Sequence, residues 1–294
     1  MAKKKTSLIY YNGQFYRQNT AIFNASNRAF KYGDGIFETI ALLSGKLMLW
    51  PYHVQRFLSG LNCLGLVLPE ALNPNFFPDA LPQLLHQTAA QNNCPQNARL
   101  RLTVFRYATG FYAPNADTAH VLIEATPLPY NQFPEPQNIS GNITIYNQHL
   151  KPIPSLLGSL KTTNALLYVL AARYAQQNGY ADALLQNQYH HLIESSNSGL
   201  IIVRNNHFYT PPPQDGAVHS VMVAALANLL AANDLSLNYQ SLSTKHVAEA
   251  HEIWLCNAIA GIRPVQLADT YYLHNQQYSK AHFWVQQLNK WLFA

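Results

Sequence analysis

The sequence predicts an α+β chain in two domains, and three observations carry that expectation. Hairpin patterns and amphipathic helical stretches are intermingled along the chain, and a dense run of prolines interrupts both near the middle. Apolar residues make up 48% and charged residues only 11%, so sizeable cores can form and most of the chain is expected to be ordered. At 294 residues, one large domain or two modest ones fit.

The elements follow in order. Leu8–Tyr11 and Gln14–Tyr16 flank Asn12-Gly13, a pair suited to a type I′ turn. Ile36–Leu43, Ser44-Gly45 and Lys46–Trp50 read as a second hairpin. Tyr52–Leu64 carries Val54, Phe57, Leu58 and Leu61 on one helical face, Asp79–Gln91 is a second predicted helix, and Arg99–Arg106 and His120–Ala125 are predicted strands. Pro127, Pro129, Pro134 and Pro136 suit neither helix nor sheet. They place a linker at 126–137, between a domain of residues 1–125 and one of residues 138–294. The second half restarts with a strand at Ile143–Tyr146. A helix over Asn164–Gln177 is closed by Asn178-Gly179. Ala183–Gln186 with His191–Glu194 form a hairpin, and Leu200–Val203 is a strand. An apolar helix over Val221–Ala232, a strand at Glu252–Cys256 and a helix at Phe283–Phe293 complete the reading.

Composition excludes several functions. The net charge is +5, but Lys3, Lys4 and Lys5 form a solvated tail and no basic stripe with aromatics follows, so nucleic acid is not an expected partner. Three cysteines, widely spaced and without CxxC, give neither a disulfide framework nor a zinc site. The start lacks a signal peptide's apolar run and no stretch reaches membrane-spanning length, which points to the cytoplasm and to no membrane. His190-His191 and His246 with His251 lack HExxH spacing, Ser195 and Ser196 lack a GxSxG setting, and Gly33-Asp34-Gly35 is not GxGxxG. No metal is expected.

Five features could carry chemistry, and each also has a plain structural reading. Lys161 stands between Leu156-Leu157-Gly158-Ser159-Leu160 and the start of a helix. Desolvation there lowers a lysine pKa toward the neutral amine that Schiff-base chemistry needs, although an exposed lysine fits the position too. Glu194 ends a strand, where it could sit under a pyridine nitrogen or simply close a loop. Ser220 is a helix N-cap that leaves the amides of Val221 and Met222 for a phosphate, as any capped helix would. Arg56 can hold a phosphate through two parallel hydrogen bonds or lie on a helix surface. Arg99 and Arg101 share a strand face while Arg106 points the other way; they suit a substrate with carboxylates and an edge strand's solubility equally.

Taken together, these segments resemble the class IV, fold-type IV family of pyridoxal-phosphate aminotransferases. The landmarks run in family order from about Tyr10 to Gln266. They are Arg28-Ala29-Phe30-Lys31-Tyr32-Gly33-Asp34-Gly35-Ile36-Phe37-Glu38-Thr39, His53-Val54-Gln55-Arg56, Lys161-Thr162-Thr163-Asn164, the segment around Glu194, and Cys256-Asn257-Ala258 with Pro264-Val265. The resemblance implies a D-amino-acid-aminotransferase-like fold, with a small α/β domain, a larger barrel-like domain and pyridoxal 5′-phosphate between them, in a homodimer whose partner chain closes the pocket. It implies that Lys161 carries the cofactor and moves protons, and that Glu194 pairs with the pyridine nitrogen. Arg56, the Val221 and Met222 amides, Asn257 and Ala258 hold the phosphate, Asn164 approaches the ring hydroxyl, and Tyr32, Arg101 and Arg106 line the substrate pocket. Branched-chain transaminases carry a Gly-Thr pair where this chain has Asn257 and Ala258, and a tyrosine where it has Leu166. Cys256-Asn257-Ala258 looks more like aminodeoxychorismate lyases, which make 4-aminobenzoate and pyruvate for folate synthesis. Val223 departs from the arginine that relatives often carry two positions after the first phosphate-binding amide. The expectation is therefore a lyase acting on 4-amino-4-deoxychorismate. A transaminase of branched-chain or D-amino acids, acting on an amino-acid-like or carboxylate substrate, is the alternative, and a catalytically degenerate cofactor-binding or interaction module is a third.

Overall fold

A computed structural model describes residues 7–72, 77–153, 156–268 and 278–294, except for the side chains of residues 77–79; the lysine tail at Lys3–Lys5 lies outside the described residues. The chain divides into two compact units, Met1–Gln132 with Lys161–Asn164, and Phe133–Leu160 with Ala165–Ala294. The division at Gln132 falls inside the proline-rich stretch, and the segment bearing Lys161 groups with the first unit.

The first unit contains β1 (Leu8–Tyr11), β2 (Gln14–Arg17), α1 (Arg28–Tyr32), β3 (Gly35–Leu43), β4 (Lys46–Leu47), α2 (Trp50–Leu64), α3 (Phe77–Gln91), β5 (Ala98–Arg106) and β6 (Ala119–Pro127). Asn12 and Gly13 both take positive φ, as a type I′ turn demands, and Leu8–Tyr11 pairs in register with Gln14–Arg17. The second hairpin is shorter than periodicity predicts. β4 stops at Leu47, Leu49 turns left-handed, and α2 begins at Trp50 with Pro51 in its first turn, where proline's missing N–H costs nothing. The six strands form one antiparallel sheet in the order β2-β1-β6-β5-β3-β4. Ile36, Ile40, Leu100, Leu102, Val121 and Ile123 share a buried core with Phe57 and Leu61 of α2 and Leu81 and Leu85 of α3. One face of the sheet is thus covered by helices. The alternate positions, among them Phe37, Thr39, Arg99 and Arg101, face away from that core.

The second unit contains β7 (Asn142–Lys151), α4 (Leu156–Ser159), α5 (Leu166–Gln177), β8 (Asp182–Asn187), β9 (Leu192–Ser195), β10 (Gly199–Arg204), β11 (His207–Thr210), α6 (Val221–Ala231), β12 (Leu237–Tyr239), α7 (Thr244–Ala248), β13 (Glu252–Asn257), β14 (Gly261–Leu267) and α8 (Ser279–Phe293). Its sheet runs β12-β11-β10-β13-β14-β7-β8-β9, and a further pairing of β9 with β10 closes a barrel from β7, β8, β9, β10, β13 and β14. All six barrel strands contribute to one apolar cluster, including Ile143, Leu184, Leu192, Leu200, Leu255 and Val265, which fills the interior. A second cluster lies outside, where Tyr146, Ala183, Leu185 and Ile193 pack on Ala171 and Ala175 of α5.

Candidate active site

Lys161 is placed by the backbone. Residues 161–163 lie antiparallel to the start of β3. Phe37 N donates to Lys161 O (2.9 Å), Thr163 N donates to Gly35 O (2.8 Å), and Thr162 is bridged to Ile36. Residues directly opposite across such a pairing share a face, so Lys161 stands with Phe37, and Arg101 joins them from β5. The Lys161 Nζ lies 4.6 Å from the centroid of the Phe37 ring and the Arg101 Cζ lies 3.8 Å from it. The Lys161 amine and the Arg101 guanidinium thus both lie close to one aromatic ring. Burial, reinforced by the charge of Arg99 and opposed by Glu124, lowers the Arg101 pKa below the ordinary arginine value. Asn164 is packed against Gly33: a Cβ at Gly33 would lie 3.1 Å from the Asn164 Cβ, and the positive φ of 64° suits glycine there.

Arg56 lies on the other, helix-covered face. Its side chain is 9% exposed and reaches Glu38 through Nε (2.7 Å to Oε1) and Nη2, while His53 Nδ1 lies 2.7 Å from Glu38 Oε2. Burial alone would raise the Glu38 pKa, but the charge and hydrogen bonds of Arg56 and the hydrogen bond from His53 overcome it and hold the carboxyl at about 2. His53 is pushed the other way, because burial outweighs the help of Glu38, so its imidazole favours the neutral form. Its Nε2 is buried without a hydrogen-bond partner among the described residues.

Tyr32 and Arg106 are each held by neighbours within the first unit. Tyr32 ends α1, with the Arg28 guanidinium 4.9 Å from its ring centroid and Tyr112 at 5.5 Å. Arg106 is 6% exposed and sits on the sheet face opposite Arg101, as regular alternation requires. Its guanidinium donates to Asp34, Asp117 and the carbonyls of Leu64 and Gly65. These bonds tie Arg106 to the backbone around Gly65 and to Asp34.

In the second unit Glu194 owes its direction to a β-bulge. Leu185 opposes Glu194 and Gln186 opposes Leu192, so two steps on β9 match one on β8. Both Ile193 and Glu194 then face outward, where strict alternation from Leu192 would turn Glu194 into the barrel. Glu194 is 4% exposed and opposes Gly199 on β10, which opposes Cys256 on β13. Helix α6 docks there: a Cβ at Gly199 would stand 2.9 Å from Ser220 Cβ and 2.8 Å from Val223 Cγ2. The Ser220 hydroxyl caps α6 by accepting from Val223 N (3.4 Å), and the Val221 and Met222 amides are the first in the helix, without intrahelical acceptors. Glu194 Oε2 accepts from Val218 N (3.0 Å), which ties the carboxylate to the segment entering α6. Asn257 accepts from Ile259 N (3.0 Å) and Ala260 N (2.8 Å) and donates to Ser198 Oγ (2.9 Å), so it shapes the turn that carries Ala258.

Taken unit by unit, these groups suit parts of a phosphorylated pyridine: in the second, the helix N-terminal amides suit a phosphate and the buried carboxylate a ring N–H; in the first, Lys161 suits an aldehyde. The sequence pattern by itself assigns no role to Phe37, Glu38, His53, Lys151 or Tyr168. The legible sign for Glu38 was a charge at an otherwise apolar inward position between Ile36 and Ile40. Among the described residues no group of His, Cys, Asp and Glu could hold a metal ion, and no helix is long and apolar enough to cross a membrane.

Fold and family match together define a fold-type IV pyridoxal-phosphate enzyme. Residues 35–268 match the model of the amino-transferase class IV family, and the chain belongs to that family. It is 25% identical over 243 residues to the aminodeoxychorismate lyase of Vibrio harveyi, covering 81% of this chain and 84% of the relative. The branched-chain amino acid aminotransferase of Escherichia coli shares the fold at TM-score 0.83 and 20% identity, covering 99% of this chain and 95% of that one. A putative 4-amino-4-deoxychorismate lyase of Legionella pneumophila does so at TM-score 0.77 and 23% identity, covering 92% and 97%.

Proposed function

We propose that the chain is a pyridoxal-phosphate-dependent lyase that converts 4-amino-4-deoxychorismate to 4-aminobenzoate and pyruvate. The observation that carries this reading is the placement of Arg101 beside Phe37 on the face that bears Lys161, which puts a cation for a substrate carboxylate near the proton-moving amine. The similarity to the Vibrio harveyi lyase supports it. Bound pyridoxal phosphate supplies an electron sink for charge developing at the substrate Cα. Lys161 takes the Cα proton and can return one. Glu194 accepts the hydrogen bond of the ring nitrogen. Arg56, oriented by Glu38, the Val221 and Met222 amides, Asn257 and Ala258 hold the phosphate, and Asn164 approaches the ring hydroxyl. Arg101 binds a substrate carboxylate and Tyr32 borders the substrate.

The test is direct. The purified holoenzyme, given 4-amino-4-deoxychorismate, is expected to release 4-aminobenzoate and pyruvate in equal amounts. An active holoenzyme that yields none, but converts stoichiometrically to the pyridoxamine form with one amino acid, would be a transaminase.

The chain is also proposed to act as a homodimer. Phe30, Phe111 and Tyr112 are 85%, 86% and 88% exposed, and exposed aromatics of this size favour burial against a partner. Sedimentation is expected to give twice the 33.1 kDa chain mass; a single-chain mass at micromolar concentration would rule this out.

A further inference from the structure

In the second unit Lys151, Tyr168 and Glu194 close a ring of hydrogen bonds. Lys151 Nζ donates to Glu194 Oε1 (2.7 Å) and to the Tyr168 hydroxyl (2.7 Å), and that hydroxyl donates to the same Oε1 (2.9 Å). Lys151 is 6% exposed and Glu194 4%. Burying both charges is costly, and the fold makes a further local concession to achieve it. Between the pairings Tyr146↔Leu185 and Lys151↔Asn187, β7 spends five residues where β8 spends two. The irregularity turns Lys151 to the outer face that Tyr146 occupies, where strict alternation would send it inward. Tyr168 reaches the same place from α5, whose Ala171 and Ala175 pack on that face.

Each carboxylate oxygen offers about two acceptor sites. Both on Oε1 are taken, by the ammonium and the phenol. Oε2 accepts from the Val218 amide and has a second site. Burial, then the charge of Glu194 and the hydrogen bond to it, push the Tyr168 pKa well up, so the phenol keeps its proton and remains a donor.

We propose that Lys151 and Tyr168 are positioning residues: by clamping Oε1 of Glu194 they aim Oε2 at the ring nitrogen of bound pyridoxal phosphate. The proposal rests on the reading that Glu194 pairs with that nitrogen. A set of donors that merely neutralised a buried carboxylate would affect folding and leave the cofactor's electronic state alone. A clamp affects the cofactor itself.

The experiment titrates cofactor-free protein with pyridoxal phosphate and follows dissociation constant and absorption maximum in wild type, Tyr168→Phe, Lys151→Met, Lys151→Arg and Glu194→Gln. Tyr168→Phe is expected to weaken binding about tenfold, and Lys151→Met about a hundredfold, each with a shifted maximum. Lys151→Arg, which keeps the charge and the donors, is expected to recover most of the affinity and the wild-type maximum. If Lys151→Met fails to fold by circular dichroism, Tyr168→Phe, which removes a single oxygen, decides. Were Glu194→Gln to change spectrum and affinity while Tyr168→Phe and Lys151→Met matched wild type, the clamp would be overturned and the role of Glu194 would stand. A Glu194→Gln protein indistinguishable from wild type would overturn the role of Glu194, and the clamp with it.

Discussion

Lys161→Ala is expected to lose the visible absorption band that pyridoxal phosphate gives with the wild type and that borohydride fixes, and to lower turnover by about ten-thousand-fold or more. Two functions disappear with one side chain, because the same amine is to carry the cofactor and to move the Cα proton. The substitution is also a clean one. Lys161 is held by its main chain, with its carbonyl accepting from Phe37 N, and alanine keeps that bond and the neighbouring Thr163 N to Gly35 O bond. Lost activity can therefore be separated from lost folding by comparing the unfolding midpoints of the two proteins. A borohydride-fixed band that survives in Lys161→Ala would move the attachment to another amine. Lys151, the buried lysine beside Glu194, would be the first to replace.

The landmarks legible in the sequence are those whose chemistry depends on local order. The Asn12-Gly13 turn, the Ser220 cap and the lysine before a helix start could be read because a turn, a cap or a strand end is fixed by a few adjacent residues. Arg106 could be read only in part. Alternation along β5 put it on the opposite face from Arg101, but the four acceptors that occupy it come from Asp34, Leu64, Gly65 and Asp117, elements that periodicity does not bring together. The bulges were invisible for a sharper reason. Side-chain direction in a strand has period two, and one inserted residue reverses it. Ile193-Glu194 and the stretch from Tyr146 to Lys151 each break that period, so counting from Leu192 or Tyr146 sends Glu194 and Lys151 to the wrong face. Tyr168 carries no local mark in the sequence, and Leu166 on the same helix is 65% exposed. The residue that meets Glu194 comes two positions later, set by the packing of α5 on the barrel.

Glu38→Gln is expected to destabilise the first unit by about 3–5 kcal/mol at pH 7 and to weaken pyridoxal-phosphate binding. Glutamine keeps the size of the side chain but removes the charge that Arg56 and His53 face, and Arg56, only 9% exposed, has little access to water in compensation. The pH dependence checks the cause. The folded carboxyl titrates at about 2, against 4.5 for an unperturbed glutamate. Because the folded value is the lower one, the stabilisation is complete above pH 4.5 and is lost as pH falls from there toward about 2. A difference of that size is worth about 3 kcal/mol, at roughly 1.4 kcal/mol per unit, at the lower end of the expected loss. Urea unfolding at a series of pH values should therefore show wild type and Glu38→Gln far apart at neutral pH and converging below pH 4.5. Midpoints that coincide at pH 7 would mean that Arg56 keeps its position without Glu38. The phosphate-holding role would then rest on Arg56 alone, since nothing would connect it to the carboxylate on β3.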